Sequence, residues 1–256
     1  MERPLILVTN DDGIQAKGIR EITVVAERYG DVAVVAPDGP RSAQSSALTL
    51  ETPIRAVKVE EREGMVRYAV SGTPTDCVKL AVDKLITRRP ALLISGINHG
   101  SNASINVIYS GTMGAAIEGC LHDIPSIGLS LWSHDKDADF SRCLPHFEEI
   151  IKKALAEPLP KGICLNVNAP RGDIKGVKVC RQADGRWANE YQQDSAPRPV
   201  PYYWLIGDFI YNTDGADGGY MPDQTALQEG YISVVPVHTD MTAYHVMGKI
   251  GGYESL

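Results

Sequence analysis

The stretch Ile6-Leu7-Val8-Thr9-Asn10-Asp11-Asp12-Gly13 constrains the fold more than any other part of the chain. A short apolar run closed by a turn signal reads as a buried strand, and Asp-Gly ends it in a tight turn. Two carboxylates therefore stand at a strand tip. Downstream, Ile19, Ile22, Ala26 and Tyr29, with Val25 beside them, share one face of an amphipathic helix over 16–29 that Gly30 closes. Val32-Ala33-Val34-Val35-Ala36 is a second β-branched run, stopped by Pro37-Asp38-Gly39-Pro40. Strand, helix and strand make a βαβ unit, whose crossover joins parallel strands that end on the same sheet edge. The loop from Pro37 to Ser46 thus emerges beside Asp11 and Asp12. On this stretch alone, a turn in which the acids only bind local backbone stays equally open.

The same alternation continues. Leu48–Leu50, Ile54–Glu60 and Met65–Val70 read as extended, the last two as a hairpin around Glu63-Gly64. Thr75 and Asp76 are candidate caps for a buried helix over 77–87. A buried strand over 90–96 opens into a Gly/Ser/Asn-rich loop over 97–106, followed by a helix over 113–121 with Ser110 or Thr112 as its cap. A strand over 124–132, a helix over 140–155 and a last core strand over 163–167 complete the pattern. This is an α/β chain: an open, mostly parallel sheet flanked by helices. Residues 1–169 read as the core. Residues 170–256 read as an extended β arm or hairpin with a final strand at Ile232–Val237, packing partly on the core and partly on a partner subunit. The aromatic run Tyr202-Tyr203-Trp204-Leu205-Ile206, between the proline-rich 197–201 and glycine-rich 214–219 stretches, asks for cover by a second copy.

A net charge of −7 without a basic stripe argues against a nucleic-acid polymer as partner. Five scattered cysteines with no Cys-x-x-Cys pair indicate neither a disulfide framework nor a zinc site, and suit buried thiols in a reducing cytosol. No run approaches the ~20 apolar residues of a membrane span. The expectation is a soluble, cytoplasmic protein with no membrane partner.

In an open parallel sheet, ligands bind outside the carboxyl ends of the strands, near the switch point in strand order. Asp11 and Asp12 follow the first strand, Ser42 the second, and Asn98 the strand ending at Gly96. Their oxygens suit a hard divalent cation such as Mg²⁺ or Mn²⁺, and Ca²⁺ could occupy the same set. Adjacent strand residues point to opposite faces, so the two acids share one ion only where the chain has left extended geometry; otherwise one binds metal and the other handles a proton. The turn Ser110-Gly111-Thr112 offers unpaired backbone N–H groups at a helix start, suited to a phosphate, although capping alone is the commoner use of such a turn. Asn10 either orients the acid pair or is a plain turn residue. His99 is the one histidine in the site loop, where it could serve a leaving oxygen as general acid. Gly13-Ile14-Gln15-Ala16-Lys17-Gly18 matches neither a Walker A loop nor Gly-x-Gly-x-x-Gly. Asn10 stands where an aspartyl nucleophile of the Asp-x-Asp type would be, and there is no Gly-x-Ser-x-Gly elbow.

Taken together, several ordered blocks resemble the SurE family of stationary-phase survival proteins. They are Val8–Gly13, Ala36-Pro37 with Arg41-Ser42, Ser71–Val78, Ser95–Asn98 with Gly100 and Asn102, and Tyr109–Thr112 through Glu118-Gly119. Asp223 with Gly230–Ser233, and Thr239–Thr242, extend the resemblance to the carboxyl-terminal region. It implies a Rossmann-like core, a carboxyl-terminal arm exchanged in a homodimer or homotetramer, and a metal-dependent phosphatase of nucleoside monophosphates. That activity is of the 5′-nucleotidase type, with 3′-nucleotides and polyphosphate as its implied reach. By resemblance one divalent cation per subunit falls on Asp11, Asp12, Ser42 and Asn98, with catalysis on Asp11, Asp12 and Asn98. Phosphate contacts fall on Asn10, Ser110, Gly111 and Thr112. Asn106 stands where the family pattern leads one to expect Asp, and Met113 where one expects Val. A noncatalytic nucleotide- or phosphate-binding module using the same crevice is the alternative.

Overall fold

The computed structural model describes residues 3–194, 200–212 and 219–255. Residues 197–199 and 214–218 of the two turn-rich stretches lie outside the described residues. The chain opens as β1 (Leu5–Thr9), α1 (Lys17–Ala26) and β2 (Asp31–Pro37), then the hairpin of β3 (Ala56–Arg62) and β4 (Met65–Val70). It continues with α2 (Pro74–Leu80), β5 (Leu92–His99), α3 (Asn106–Tyr109), α4 (Gly111–Leu121), β6 (Ser126–Leu131), α5 (Leu144–Ala156) and β7 (Ile163–Ala169). Beyond these lie β8 (Val177–Val179), β9 (Asp184–Ala188), β10 (Tyr191–Asp194), β11 (Tyr202–Leu205), β12 (Asp208–Asn212), α6 (Asp223–Gln228), β13 (Ile232–His238) and α7 (Tyr244–Met247).

Among the described residues, nine strands form one sheet in the order β3-β4-β2-β1-β5-β6-β7-β13-β8. Strands β4, β2, β1, β5, β6 and β7 run parallel across its centre. The period-2 alternation of β1 explains the layering. Ile6 and Val8 pack with Ile19 and Ile22 of α1 and Phe147 and Ile151 of α5, whereas Leu5 and Leu7 pack with Cys77 and Val78 of α2 and Ala115 of α4. Each such side chain, buried on folding, contributes roughly 1.5–3 kcal/mol. The chain leaves β1 toward β2 on one side and returns to β5 on the other, so the switch point lies between the carboxyl ends of β1 and β5.

Three local readings are corrected. The helix expected over 77–87 starts at Pro74, because Thr73 and Asp76 form a capping box around a proline at the first turn; past Leu80 it widens into a π turn over Ala81–Leu85. Leu48–Leu50 forms no strand; Leu48 and Leu50 are exposed. The sheet does not stop at the strand beginning at Ile163: β13 pairs antiparallel with β7 and parallel with β8. The hairpins near the carboxyl terminus are nested, β10 on β11 and β9 on β12, and they leave Tyr191, Tyr203, Trp204 and Leu205 exposed. No helix among the described residues is long and apolar enough to cross a membrane.

Candidate metal and phosphate site

Strand β1 stops at Thr9, and residues 11–12 bend out of extended geometry. That break lets the two adjacent carboxylates turn to different sides of the strand tip. Asp11 turns to the α4 layer, where its Oδ1 accepts a hydrogen bond from the Thr112 hydroxyl (2.7 Å). Asp12 turns the other way, and its Oδ2 accepts from the His99 backbone N–H (3.1 Å) and faces His99 Nδ1 (2.9 Å). Asn98 comes from the neighbouring strand, where a bulge in β5 between Ser95 and Asn98 re-aims the chain end. Its Nδ2 donates to the Gly100 carbonyl (2.8 Å). The loop after β2 is tied in by the Arg41 backbone N–H, which donates to the Asp11 carbonyl (2.7 Å) and leaves the exposed Ser42 as the next residue.

Helix α4 begins against Asp11. A Cβ on Gly111 would lie 2.9 Å from Asp11 Cβ and 3.2 Å from Oδ2, so only glycine lets the helix start and the acid come this close. Ser110 is the cap, its Oγ accepting from the Met113 N–H (3.0 Å). Gly111 and Thr112 therefore lie against Asp11 with Ser110 as the helix cap, and the Thr112 hydroxyl is spent on Asp11. Phosphate donors at this turn reduce to backbone N–H groups and the Ser110 hydroxyl proton. Asn10 is fully buried; its Nδ2 donates to the Gly13 carbonyl (2.9 Å), while its Oδ1 is buried without a partner.

Burial, with Asp12 nearby, pushes the Asp11 carboxyl up to about 6, against the pull of the Thr112 hydroxyl and backbone N–H groups. Among the described residues no Lys or Arg pairs with either acid; the one ion-pair partner is the His99 ring on Asp12. Two carboxylates crowded at a strand tip without a basic partner form an arrangement that a divalent cation completes. The donor chemistry fits: side-chain hydrogen bonds tie Asp11 through Oδ1, Asp12 through Oδ2 and Asn98 through Nδ2, and each residue has another oxygen to offer. Hard oxygen donors of this kind suit Mg²⁺ or Mn²⁺. No cluster of three His, Cys, Asp or Glu is present among the described residues.

Asn102 and Asp223 enter the sequence reading only as parts of the family pattern; the structure shows each anchoring the 100–106 loop. Asn102 N–H donates to Asn168 Oδ1 (2.8 Å), its Nδ2 to Ser130 Oγ (2.9 Å), and Asn166 Nδ2 donates to the Asn102 carbonyl (2.8 Å). Asn166 and Asn168, two residues apart on one buried strand face, were the available signal. Asp223, with no exposed surface, accepts from the N–H groups of Ser104 (2.8 Å), Ala183 (3.0 Å) and Gln224 (2.8 Å), clamping the 100–106 loop to the segment that enters β9 and to the start of α6. Asn106, at the far end of that loop, accepts from Trp187 Nε1 (2.9 Å) on β9.

Comparison with known proteins adds to this geometry. A family model described as survival protein SurE matches residues 6–189. The chain is 49% identical to the 5′-nucleotidase SurE of Phocaeicola vulgatus, over 97% of this chain and 96% of that protein. It is 46% identical to the 5′-nucleotidase SurE of Flavobacterium psychrophilum, over 99% of both. Among solved structures, the SurE protein from Aquifex aeolicus superposes with a TM-score of 0.81 at 33% identity, covering 98% of this chain and 100% of that one.

Proposed function

The chain belongs to the SurE family, and from that premise we propose that it is a divalent-metal-dependent phosphomonoesterase acting on nucleoside 5′-monophosphates. The observation that carries the reading is the contact of Asp11 at the strand tip with Gly111 and Thr112 at the start of α4, which would put a cation on the acids beside a phosphate on the helix start. The names of the relatives point to the same substrate class.

In this reading Asp11, Asp12, Asn98 and Ser42 would hold one Mg²⁺ or Mn²⁺, which would supply Lewis-acid polarisation of a phosphoryl oxygen and activation of a water. The remaining work falls to the chain itself. The Gly111 backbone N–H, with the Ser110 hydroxyl, would hold the phosphate at the positive end of α4 and stabilise charge on its equatorial oxygens. Buried Asn10 supports the turn that carries both acids. The Thr112 hydroxyl keeps Asp11 oriented and charged. We assign the exposed faces of β10 and β11 to contact with a second subunit, in a dimer or tetramer.

A panel of nucleoside monophosphates assayed with Mn²⁺ or Mg²⁺ tests this. Phosphate release that is lost in EDTA and in Asp11→Asn supports the enzyme; binding with no turnover across the panel sinks it in favour of a binding module. Light scattering tests the arm, and a monomer contradicts it.

A further inference from the structure

We infer that His99 is a positioning residue for the cation, holding Asp12 by one oxygen so that the other is presented to the metal. The inference rests on the metal site proposed above. Its own basis is local. Asp12 Oδ2 faces two donors from a single residue, the His99 backbone N–H at 3.1 Å and ring Nδ1 at 2.9 Å. No other residue makes a side-chain hydrogen bond to Asp12 among the described residues.

The ring is itself held. It meets Phe140 edge to face, with ring centroids 5.2 Å apart and planes 79° apart, and Phe140 is buried in the α1/α5 core. The bulge that re-aims Asn98 also places His99, so one irregularity in β5 supplies a ligand and the holder of another. Nδ1 faces Asp12, which leaves Nε2 as the atom that would reach a leaving oxygen; Nε2 is buried without a partner. The Nδ1 contact places His99 on a carboxylate of the proposed cation site. It suits an outer-shell hydrogen bond, the kind whose loss lowers metal affinity. Asp11 and Asp12 thus have separate holders on opposite faces of the sheet, Thr112 for one and His99 for the other.

The test is calorimetric titration of Mn²⁺ into metal-stripped full-length protein without substrate, alongside nucleotide turnover at saturating Mn²⁺. His99→Asn keeps an amide N–H where Nδ1 stands but removes the imidazole ring; His99→Leu and His99→Ala are donorless at the side chain and keep only the backbone N–H, and thermal melts establish which variants fold. The expected result is Mn²⁺ affinity close to wild type in His99→Asn and roughly 10–100-fold weaker in the donorless variants, with turnover of His99→Asn preserved at saturating metal. Unchanged affinity in a folded donorless variant overturns the inference. So does a His99→Asn enzyme that binds Mn²⁺ normally and has lost turnover, since the ring would then act on the reacting atoms. If the donorless variants weaken Mn²⁺ binding while even wild type hydrolyses no nucleotide, the phosphatase reading fails and the positioning role stands.

Discussion

Replacing Thr112 by valine keeps the shape of the side chain and removes one hydrogen-bond donor. The hydroxyl it deletes lies 2.7 Å from Asp11 Oδ1, with Thr112 fully buried and Asp11 5% exposed. Hydrogen bonds to charged groups contribute about 1.5–3 kcal/mol, which at 1.4 kcal/mol per decade corresponds to roughly 10–150-fold in an equilibrium constant. Losses of outer-shell partners at metal sites fall in a similar range, about 10–100-fold. The hydroxyl opposes the burial that lifts the Asp11 carboxyl to about 6, so without it the acid is both less charged and less fixed. Mn²⁺ affinity of the metal-stripped protein, read by calorimetry near neutral pH, is expected to fall by one to two orders of magnitude in Thr112→Val and to hold in Thr112→Ser. The cooperative melt should persist, since no cavity is opened. Affinity within error of wild type in Thr112→Val, or an equal loss in Thr112→Ser, would refute the assignment of Thr112 to Asp11.

Gly114→Ala should place a Cβ 2.7 Å from the Ser45 carbonyl carbon, against backbone that cannot swing away. Despite a helix-propensity gain of roughly 0.8–1 kcal/mol, it is expected to displace the loop that carries Ser42 and to reduce metal-dependent phosphate release at least tenfold, an order-of-magnitude figure for a misplaced site. Asp223→Asn swaps a three-bond acceptor for a group that can serve fewer N–H donors. A loss of about 1.5–3 kcal/mol is expected by denaturant titration, with faster hydrogen exchange at Ser104 and Ala183; unchanged exchange at both would contradict the clamp. Burial pushes the Cys143 and Cys164 thiols up to about 12 and Cys180 to about 11, above the unfolded value of about 8.5. A raised thiol pKa contributes stability that is complete below the unfolded pKa. Above about pH 8.5 each thiol should therefore subtract roughly 1.4 kcal/mol per pH unit until its folded pKa is reached. Alkylation at pH 8 should spare these three in the native protein and label them in urea.

The fold was legible where its causes are local. The β1-α1-β2 unit follows from apolar runs and their punctuation, and parallel topology alone places Asp11, Asn98 and the Ser110 turn on one edge. What escaped depends on partners distant in sequence. Thr112 reads as a helix-start donor, and only packing shows its hydroxyl committed to Asp11 across 101 positions. The capping box at Thr73 and Asp76 is present in the sequence, and its cap stands two residues before Thr75. The apolar run of β13 is visible, but its antiparallel seat beside β7 is a matter of pairing, which no local pattern encodes. The bend after Thr9 decides whether neighbouring acids can face one ion, and alternation rules describe only the strand before it.

The central claim is that one divalent cation sits at the β1 tip beside the start of α4. Anomalous diffraction from crystals soaked in Mn²⁺ tests it most directly. The account predicts one strong peak within coordination distance of oxygens from Asp11, Asp12 and Asn98, with Ser42 on its open side. Mn²⁺ bound elsewhere, with both carboxylates left unliganded, would contradict it.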